Sequence, residues 1–403
     1  MAIKKKILIR IGSLRHGGAE KVLVTFLKNL PEDKYEIDLL LNLYSGKYLS
    51  EVPRWINVLY LNKGEMITTN RIQDIPVKAV RVIYQKLLKI YPSLLYQFLL
   101  KGKNYDIEFA AIHGMRDEIL NSPLKSSKKL IWIHNDLKKT EFHNYTDEEF
   151  RTFFGFDKIM VISEKIQQNF EILASTEEEK NKIIRIYNPL DTEEILRKSE
   201  DGSQKLEAGS RKPETEISIQ NHQPLTIKYQ PTFVSVGTVF PQKGFDRLLN
   251  VHKRLLDEGL NHKILILGDG YDFENIKKLQ KELRVSETST LFGFTSNPYP
   301  IIKKADFYIL SSRYEGFPTV LFEAITLKKK IIATDVSGVR EMLEDGKLGK
   351  IVENSEDGIY EGMKKALQNP ESFNQYEEKL KDYKMPFNLE NSVKSIVKII
   401  DDL

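Results

Sequence analysis

The stretch FYILSSRYEGFPTVLFEAITLKKKIIA, residues 307–333, decides how this chain folds. It opens on an apolar run, Phe307 to Leu310, of the length and content of a buried strand. After a polar turn, Thr319 to Leu327 carries apolar residues at helical spacing, and Lys330 to Ala333 is a second β-branched run. Strand, helix and strand in so short a span form a βαβ unit, which requires a parallel sheet. Within it, Pro318 has the fixed φ and missing N–H suited to a first helical position. The N–H groups of Thr319 and Val320 then point out of a helix N-terminus, where an anion is favoured.

Working outward, the same rhythm recurs on both sides. Lys6 to Ile11, Ile37 to Leu41, Ile107 to Ala111, Leu130 to His134, Lys158 to Ile162 and Ile183 to Ile186 read as strands. So do Thr232 to Val236, Lys263 to Leu267 and Thr290 to Phe292. Two such series predict an α/β protein of two Rossmann-like, doubly wound domains. The expected division is 1–195 for the first domain, 196–231 for a polar insertion or linker and 232–387 for the second. The last helix, about 388–403, is expected to fold back over the first domain.

With 403 residues, 41% apolar and 29% charged, the chain is long enough for two cores. There is no cysteine, which excludes disulfides, thiolate catalysis and thiolate metal sites. A net charge of +4 gives no reason to expect a nucleic-acid partner. Met1 to Ile11 is interrupted by Arg10 and too short for a signal segment, and no run reaches the roughly 18 apolar residues of a membrane span. A cytoplasmic protein, at most peripheral at the inner face of a membrane, is the expectation. One segment departs from the rhythm: Lys63 to Lys103 holds eight Lys/Arg against two Asp/Glu, around an amphipathic pattern from Val80 to Tyr91. It fits an anionic membrane surface, or equally a core-packed helix with a solvated basic side.

Candidate chemistry collects after strands, where open α/β sheets bind ligands. Glu315 and Glu323 bracket Gly316, Phe317, Pro318, Thr319 and Val320, so one carboxylate could hold sugar hydroxyls and the other a ribose, with phosphate between. Gly17 and Gly18 permit close backbone approach after the first strand, although Gly12 to Glu20 is not a dinucleotide fingerprint. Lys243 stands before Gly244 where a diphosphate could be neutralised. Gly268 and Gly270 follow another strand, and His134 ends one; Asn188 could line a cleft or belong to a hinge. No Asp-x-Asp occurs and no metal-ligand spacing is visible, so neither metal nor other cofactor is expected.

Taken in order, Gly17-Gly18-Ala19-Glu20-Lys21, Trp132-Ile-His134, Val161-Ile-Ser163, Tyr187-Asn-Pro-Leu-Asp191, Gln242-Lys-Gly-Phe245, Gly268-Asp-Gly270, Glu315 to Glu323 and Gly338-Val-Arg-Glu341 resemble the family 4 retaining glycosyltransferases. The resemblance implies a GT-B fold, two Rossmann-like domains facing each other across a cleft. It further implies transfer of a hexose or N-acetylhexosamine from a nucleotide diphosphate sugar, expected to be UDP-linked, to a hydroxyl of a glycan or lipid-linked saccharide. Such metal-independent chemistry would serve cell-surface polysaccharide assembly. By motif position, Glu315 meets the donor sugar, Glu323 the ribose and Lys243 the diphosphate. Gly17 or Gly18 closes on the phosphate, and His134 lies near the reacting sugar. Two positions depart from the family: Thr238 stands where an arginine is usual, leaving Arg313 or Arg340 to substitute, and His113 where relatives often carry a glutamate. A catalytically weak partner subunit and a GT-B sugar-nucleotide epimerase are the alternative readings.

Overall fold

A computed structural model describes residues 4–15, 17–64, 75–138, 144–200, 230–386 and 388–403. Of the expected polar insertion, 201–229 lies outside the described residues, as does 65–74 of the basic segment. The chain divides into two compact units, the first running to Leu190 and including the last helix, Leu389–Asp402, the second running from Asp191 to Pro386.

In the first unit seven strands form one parallel sheet: β1 (Lys5–Ile11), β2 (Tyr35–Tyr44), β3 (Asn57–Lys63), β4 (Ile107–Ala110), β5 (Lys128–Ile133), β6 (Lys158–Val161) and β7 (Ile183–Arg185). Their order is β3-β2-β1-β4-β5-β6-β7. The second unit has β8 (Thr232–Val236), β9 (Lys263–Leu267), β10 (Ser289–Gly293), β11 (Phe307–Leu310), β12 (Lys330–Thr334) and β13 (Lys350–Val352), in the order β10-β9-β8-β11-β12-β13. Each sheet grows outward one way from its first strand, then reverses. The reversal leaves two diverging loops at the carboxyl ends of the two central strands, β1 and β4 in one unit and β8 and β11 in the other. The doubly wound α/β fold read from the alternation is therefore present twice.

The sheets are buried because helices cover both faces, so their strands are almost wholly apolar. Phe26, on the helix Gly18–Lys28, meets the fully buried Trp132 of β5 edge-on at 6.1 Å. In the second unit Phe233 and Phe307 stack at 5.0 Å across β8 and β11. Each buried ring of this kind contributes about 2–3 kcal/mol through apolar burial.

Two strands were not visible as sequence patterns, β3 and β13. Both are edges: β3 reads NVLYLNK with no residue fully buried, and β13 is three residues long. An edge strand solvated on one side carries polar residues that blur the apolar run. At the division between units, the helix Thr192–Glu200 packs on the second one, where Asn297 Nδ2 donates to Lys198 O at 2.9 Å. The terminal helix is tied to the first, where Lys5 Nζ donates to Ile400 O at 2.8 Å and Tyr35 OH to Asp401 Oδ1 at 2.6 Å.

Candidate functional site

In the second unit the two loops at the strand-order reversal are zipped together. Arg313 N donates to Gln242 O at 2.7 Å, Ser311 Oγ to Lys243 O at 2.8 Å and Gln242 Nε2 to Tyr314 O at 2.9 Å. Gly244 sits at φ 64°, and a Cβ there would stand 2.3 Å from Ser311 O, so the loops approach this closely only with glycine. Arg247, buried one turn into the following helix, donates to Ser311 O at 2.6 Å and to Asn354 Oδ1 at 3.0 Å from behind.

That zipper presents an ion pair. Lys243 Nζ donates to Glu315 Oε1 at 2.6 Å, Ser312 Oγ donates to the same oxygen at 2.7 Å, and Gln242 Nε2 approaches Oε2 at 3.4 Å. Glu315 is buried at 7% exposure, so these donors replace the water its charge has lost. The lysine stem runs over Gly237, where a Cβ would lie 3.3 Å from its Cδ and Cε. Lys243 and Glu315, 72 residues apart, thus meet because β8 and β11 are neighbours.

After Glu315 the chain turns through Gly316 and Phe317 into the helix Thr319–Thr326. Pro318 is the residue before the helix, with φ −68° and ψ 98°, not its first residue as the sequence suggested. Its ring fixes φ while the extended ψ lets its carbonyl accept from Leu321 N at 2.9 Å. Thr319 and Val320 open the helix, so their N–H groups lie at its positive end. Gly338 holds the turn from outside: at φ 79°, a Cβ would fall 2.9 Å from the Phe317 ring and 3.0 Å from Gly316 O. Further along, Glu323 is buried at 4% exposure and accepts from Tyr299 OH at 3.2 Å. Tyr308 of β11 is fully buried, and burial together with Glu323 and Glu315 drives its pKa well up.

Gly268 and Gly270 are required by the protein itself. A Cβ on Gly268 would stand 1.8 Å from Gly237 O, and one on Gly270 2.2 Å from Val239 O. Their loop is bound to the β8 loop through Gly237 N to Leu267 O at 3.0 Å and Val239 N to Asp269 O at 3.1 Å. The two arginines near Thr238 in the reading above are each held by an acid. Arg313 makes a bidentate pair with Asp246 at 2.7 and 2.6 Å, while Arg340 pairs with Asp335 at 2.6 Å.

In the first unit the carboxyl edge of the sheet carries a different set. His134 is the first residue after β5, 7% exposed and beside Trp132 at 4.7 Å between rings. Burial, with a smaller contribution from His113, pushes its pKa down to about 3, against a hydrogen bond to the Ala111 backbone that pulls it up. Nε2 has no partner among the described residues, so the backbone bond belongs to Nδ1–H and Nε2 is left as an acceptor. Asn188 is buried, and its Oδ1 has no partner among the described residues. Burial, then Arg116, pushes the His113 pKa down to about 4. Gly17 precedes the helix that starts at Gly18, and the Glu20 carboxylate folds back over it, 2.1 Å from where a Cβ would be.

Sequence reasoning had not singled out Ser312, Ser311, Arg247, Asn354, Tyr299 or Tyr308 as parts of the site. None carries a motif of its own; each earns its place by facing Lys243, Glu315, Glu323 or their loops in space.

Known proteins share this fold. Residues 218–383 match the family model described as glycosyl transferases group 1. An N-acetylgalactosamine-N,N'-diacetylbacillosaminyl-diphospho-undecaprenol 4-alpha-N-acetylgalactosaminyltransferase from Campylobacter jejuni is 27% identical over 383 residues, covering 94% of each chain. Among solved structures, Anabaena HepE in complex with UDP and glucose superposes with a TM-score of 0.70 at 14% identity, over 99% of this chain and 100% of that one. A TarM variant from S. aureus, bound to Fondaparinux, alpha-GlcNAc-glycerol and UDP, gives 0.66 at 13% identity, over 98% and 99%. Residues 218–383 thus match the group 1 glycosyltransferases, and the chain is a glycosyltransferase with the GT-B fold.

Proposed function

We propose that the protein moves a hexose or N-acetylhexosamine from a UDP-linked donor to a hydroxyl of a glycan or lipid-linked saccharide, with retention at the anomeric carbon. The observation that carries this reading is the Lys243–Glu315 pair set just before the Thr319–Thr326 helix start. A nucleotide diphosphate brings negative charge and a sugar brings hydroxyls. Lys243 can then exchange its carboxylate for phosphate, while Glu315 exchanges its ammonium for sugar hydroxyls. The helix start adds N–H donors for the same charge, which stabilises a departing diphosphate without a metal. Glu323, buried and held by Tyr299, is placed to bind a diol such as a ribose.

The Campylobacter relative's diphospho-undecaprenol-linked substrate supports a lipid-linked saccharide as acceptor and cell-surface polysaccharide assembly as the setting. Such an acceptor would bring the reaction to the inner face of a membrane. The test is UDP release from purified protein with UDP-glucose, UDP-galactose and their N-acetylated counterparts, each with lipid-linked or glycan acceptors and with or without a chelator. Chelator-insensitive release that depends on acceptor, with an α-anomeric product by NMR, is expected. No release with any donor–acceptor pair would overturn it.

A further inference from the structure

Arg10 occupies a place in β1 that the fold otherwise fills with hydrocarbon. Leu8, two residues back and so on the same face, belongs to a core cluster with Leu40, and Arg10 lies opposite Leu40 and Ala110 in the sheet. Yet position 10 holds a guanidinium at 3% exposure. It stands one residue before the carboxyl end of the strand, the edge where open α/β sheets bind ligands.

A guanidinium brings five N–H donors and a charge that it does not shed. Among the described residues its one hydrogen bond is Nη2 to Asn42 Oδ1, long at 3.3 Å, and Nε has no partner. Acids of the described residues act on it only through space. Burial lowers its pKa, against Glu118 of the helix Arg116–Leu120 and Glu108 of β4, which raise it. Glu108 is already matched, because Lys129 pairs with it and Ser127 Oγ donates to it. Asn42 is no better served: its Nδ2 donates to Met115 Sδ at 3.7 Å, and a thioether is a weak acceptor. Two neighbouring side chains thus offer donors at the sheet edge and find no oxygen strong enough to match them.

We infer that Arg10 and Asn42 bind an oxyanion, a carboxylate or a phosphate, carried by the acceptor. A buried charge with so few partners is costly to the protein by itself. Water would meet the donors and leave the charge unmatched. An oxyanion meets both, and its paired oxygens fit the planar fork of the guanidinium. The protein then selects acidic or phosphorylated saccharides over neutral ones. Assignment of the anion to the acceptor rests on the transferase reading above, in which Lys243 and the helix start of the second unit serve the donor's phosphates. Anion binding at Arg10 does not rest on it.

Inorganic phosphate and acetate are titrated into the full chain, with chloride holding the ionic strength fixed and UDP at saturation to occupy the donor site. The readout is the arginine Nε–H region of the nitrogen-edited proton spectrum, where the Arg10 signal is the one missing in Arg10→Met. Saturable movement of that signal is expected with at least one anion, and which anion moves it separates a phosphate group from a carboxylate. A signal that neither anion moves overturns the inference. Melting adds a sign that a structural role would not give. Without anion, Arg10→Met should melt at or above the wild-type temperature, since Met removes an unmatched charge and keeps a buried stem. Anion should stabilise the wild type and leave Arg10→Met unmoved, and Asn42→Ala should bind it about fivefold more weakly. Arg10→Met melting well below the wild type would show a structural cation held by Glu118 and Glu108, and would overturn the site. In turnover, an acceptor bearing the anionic group should show a KM about 10- to 100-fold higher in Arg10→Met, with kcat within about twofold. Inactivity toward every donor–acceptor pair would count against the transferase reading, whereas the spectrum decides the anion site by itself.

Discussion

The two units share one strand order, yet the carboxyl edges of their sheets have opposite electrical character. In the second unit the reversal loops bring a lysine and a glutamate to 2.6 Å, and Ser312 and Gln242 complete the carboxylate's hydrogen bonds. In the first unit the same edge holds neutral or weakly paired groups with buried polar atoms that lack partners among the described residues: His134 Nε2, Trp132 Nε1, Asn188 Oδ1 and Arg10 Nε. Arg10 is 3% exposed and its described hydrogen bond, to Asn42, is long at 3.3 Å. A self-neutralised ion pair is stable while it waits and can be opened by a stronger anion. Unpartnered buried donors and acceptors instead await a ligand or water that supplies hydrogen bonds. One topology thus carries a paired charge at one sheet edge and a set of unpaired buried donors and acceptors at the other.

Breaking the charged side should have the largest effect. Lys243→Ala and Glu315→Ala are each expected to lower turnover by about 100- to 1,000-fold, the range for removing one preorganised electrostatic group. The lysine change also leaves Glu315 buried without its ammonium, so its melting temperature should fall, whereas Glu315→Gln should be milder in stability. If the two act as a unit, the double variant will be no slower than the worse single one. Additive losses in steady-state UDP release would show that the pair is incidental.

His134→Ala probes the neutral side and is expected to cost about 100-fold in turnover, as for loss of a positioned proton partner. The stabilisation of the protein by UDP should survive, because Lys243, Glu315 and Glu323 are untouched. A lost UDP shift in His134→Ala would contradict the division of labour between units.

How much of this could be read from sequence follows from where each feature lives. The strands were legible because buried parallel strands are continuous apolar runs; β3 and β13 were not, being solvated edges. Lys243, Glu315 and His134 were legible as polar residues at strand ends. What stayed hidden was pairing: nothing in the chain's order places Lys243 against Glu315 rather than against solvent. Arg313 and Arg340 illustrate the reverse, since both look like spare cations in sequence while Asp246 and Asp335 hold them in the fold. In sequence Gly268 either lets a nucleotide approach or simply makes the turn; in the fold a Cβ there would stand 1.8 Å from Gly237 O. Gly268→Ala, at φ 145°, should therefore destabilise the second unit by about 1–3 kcal/mol through strain. The measurement is chemical denaturation without ligand; a wild-type midpoint there would return that glycine to ligand binding.

The smallest effect sharpens the comparison through pH. His252 and His262 are fully buried in the second unit and form a directional chain. His262 Nδ1–H donates to Leu260 O at 2.7 Å, its Nε2 accepts from His252 Nδ1–H at 2.8 Å, and His252 Nε2 accepts from Thr288 at 2.9 Å. A proton added to His262 Nε2 would oppose His252 Nδ1–H, and one added to His252 Nε2 would oppose the Thr288 hydroxyl that donates there; burial pushes His252 down to about 3 and lowers His262 as well. Both are neutral when folded but accept protons near 6.5 when unfolded. Their contribution is thus whole above about pH 6.5 and fades as pH falls toward the folded values, by about 1.4 kcal/mol per pH unit for each ring. His134 and His113 impose the same slope on the first unit. Both tryptophans, Trp55 and Trp132, lie in the first unit, so their fluorescence follows that unit alone. Replacing His252 and His262 together with glutamine should flatten the acid decline of far-UV circular dichroism, while leaving the tryptophan transition where it was. A tryptophan transition that moves with them would show that the units unfold as one.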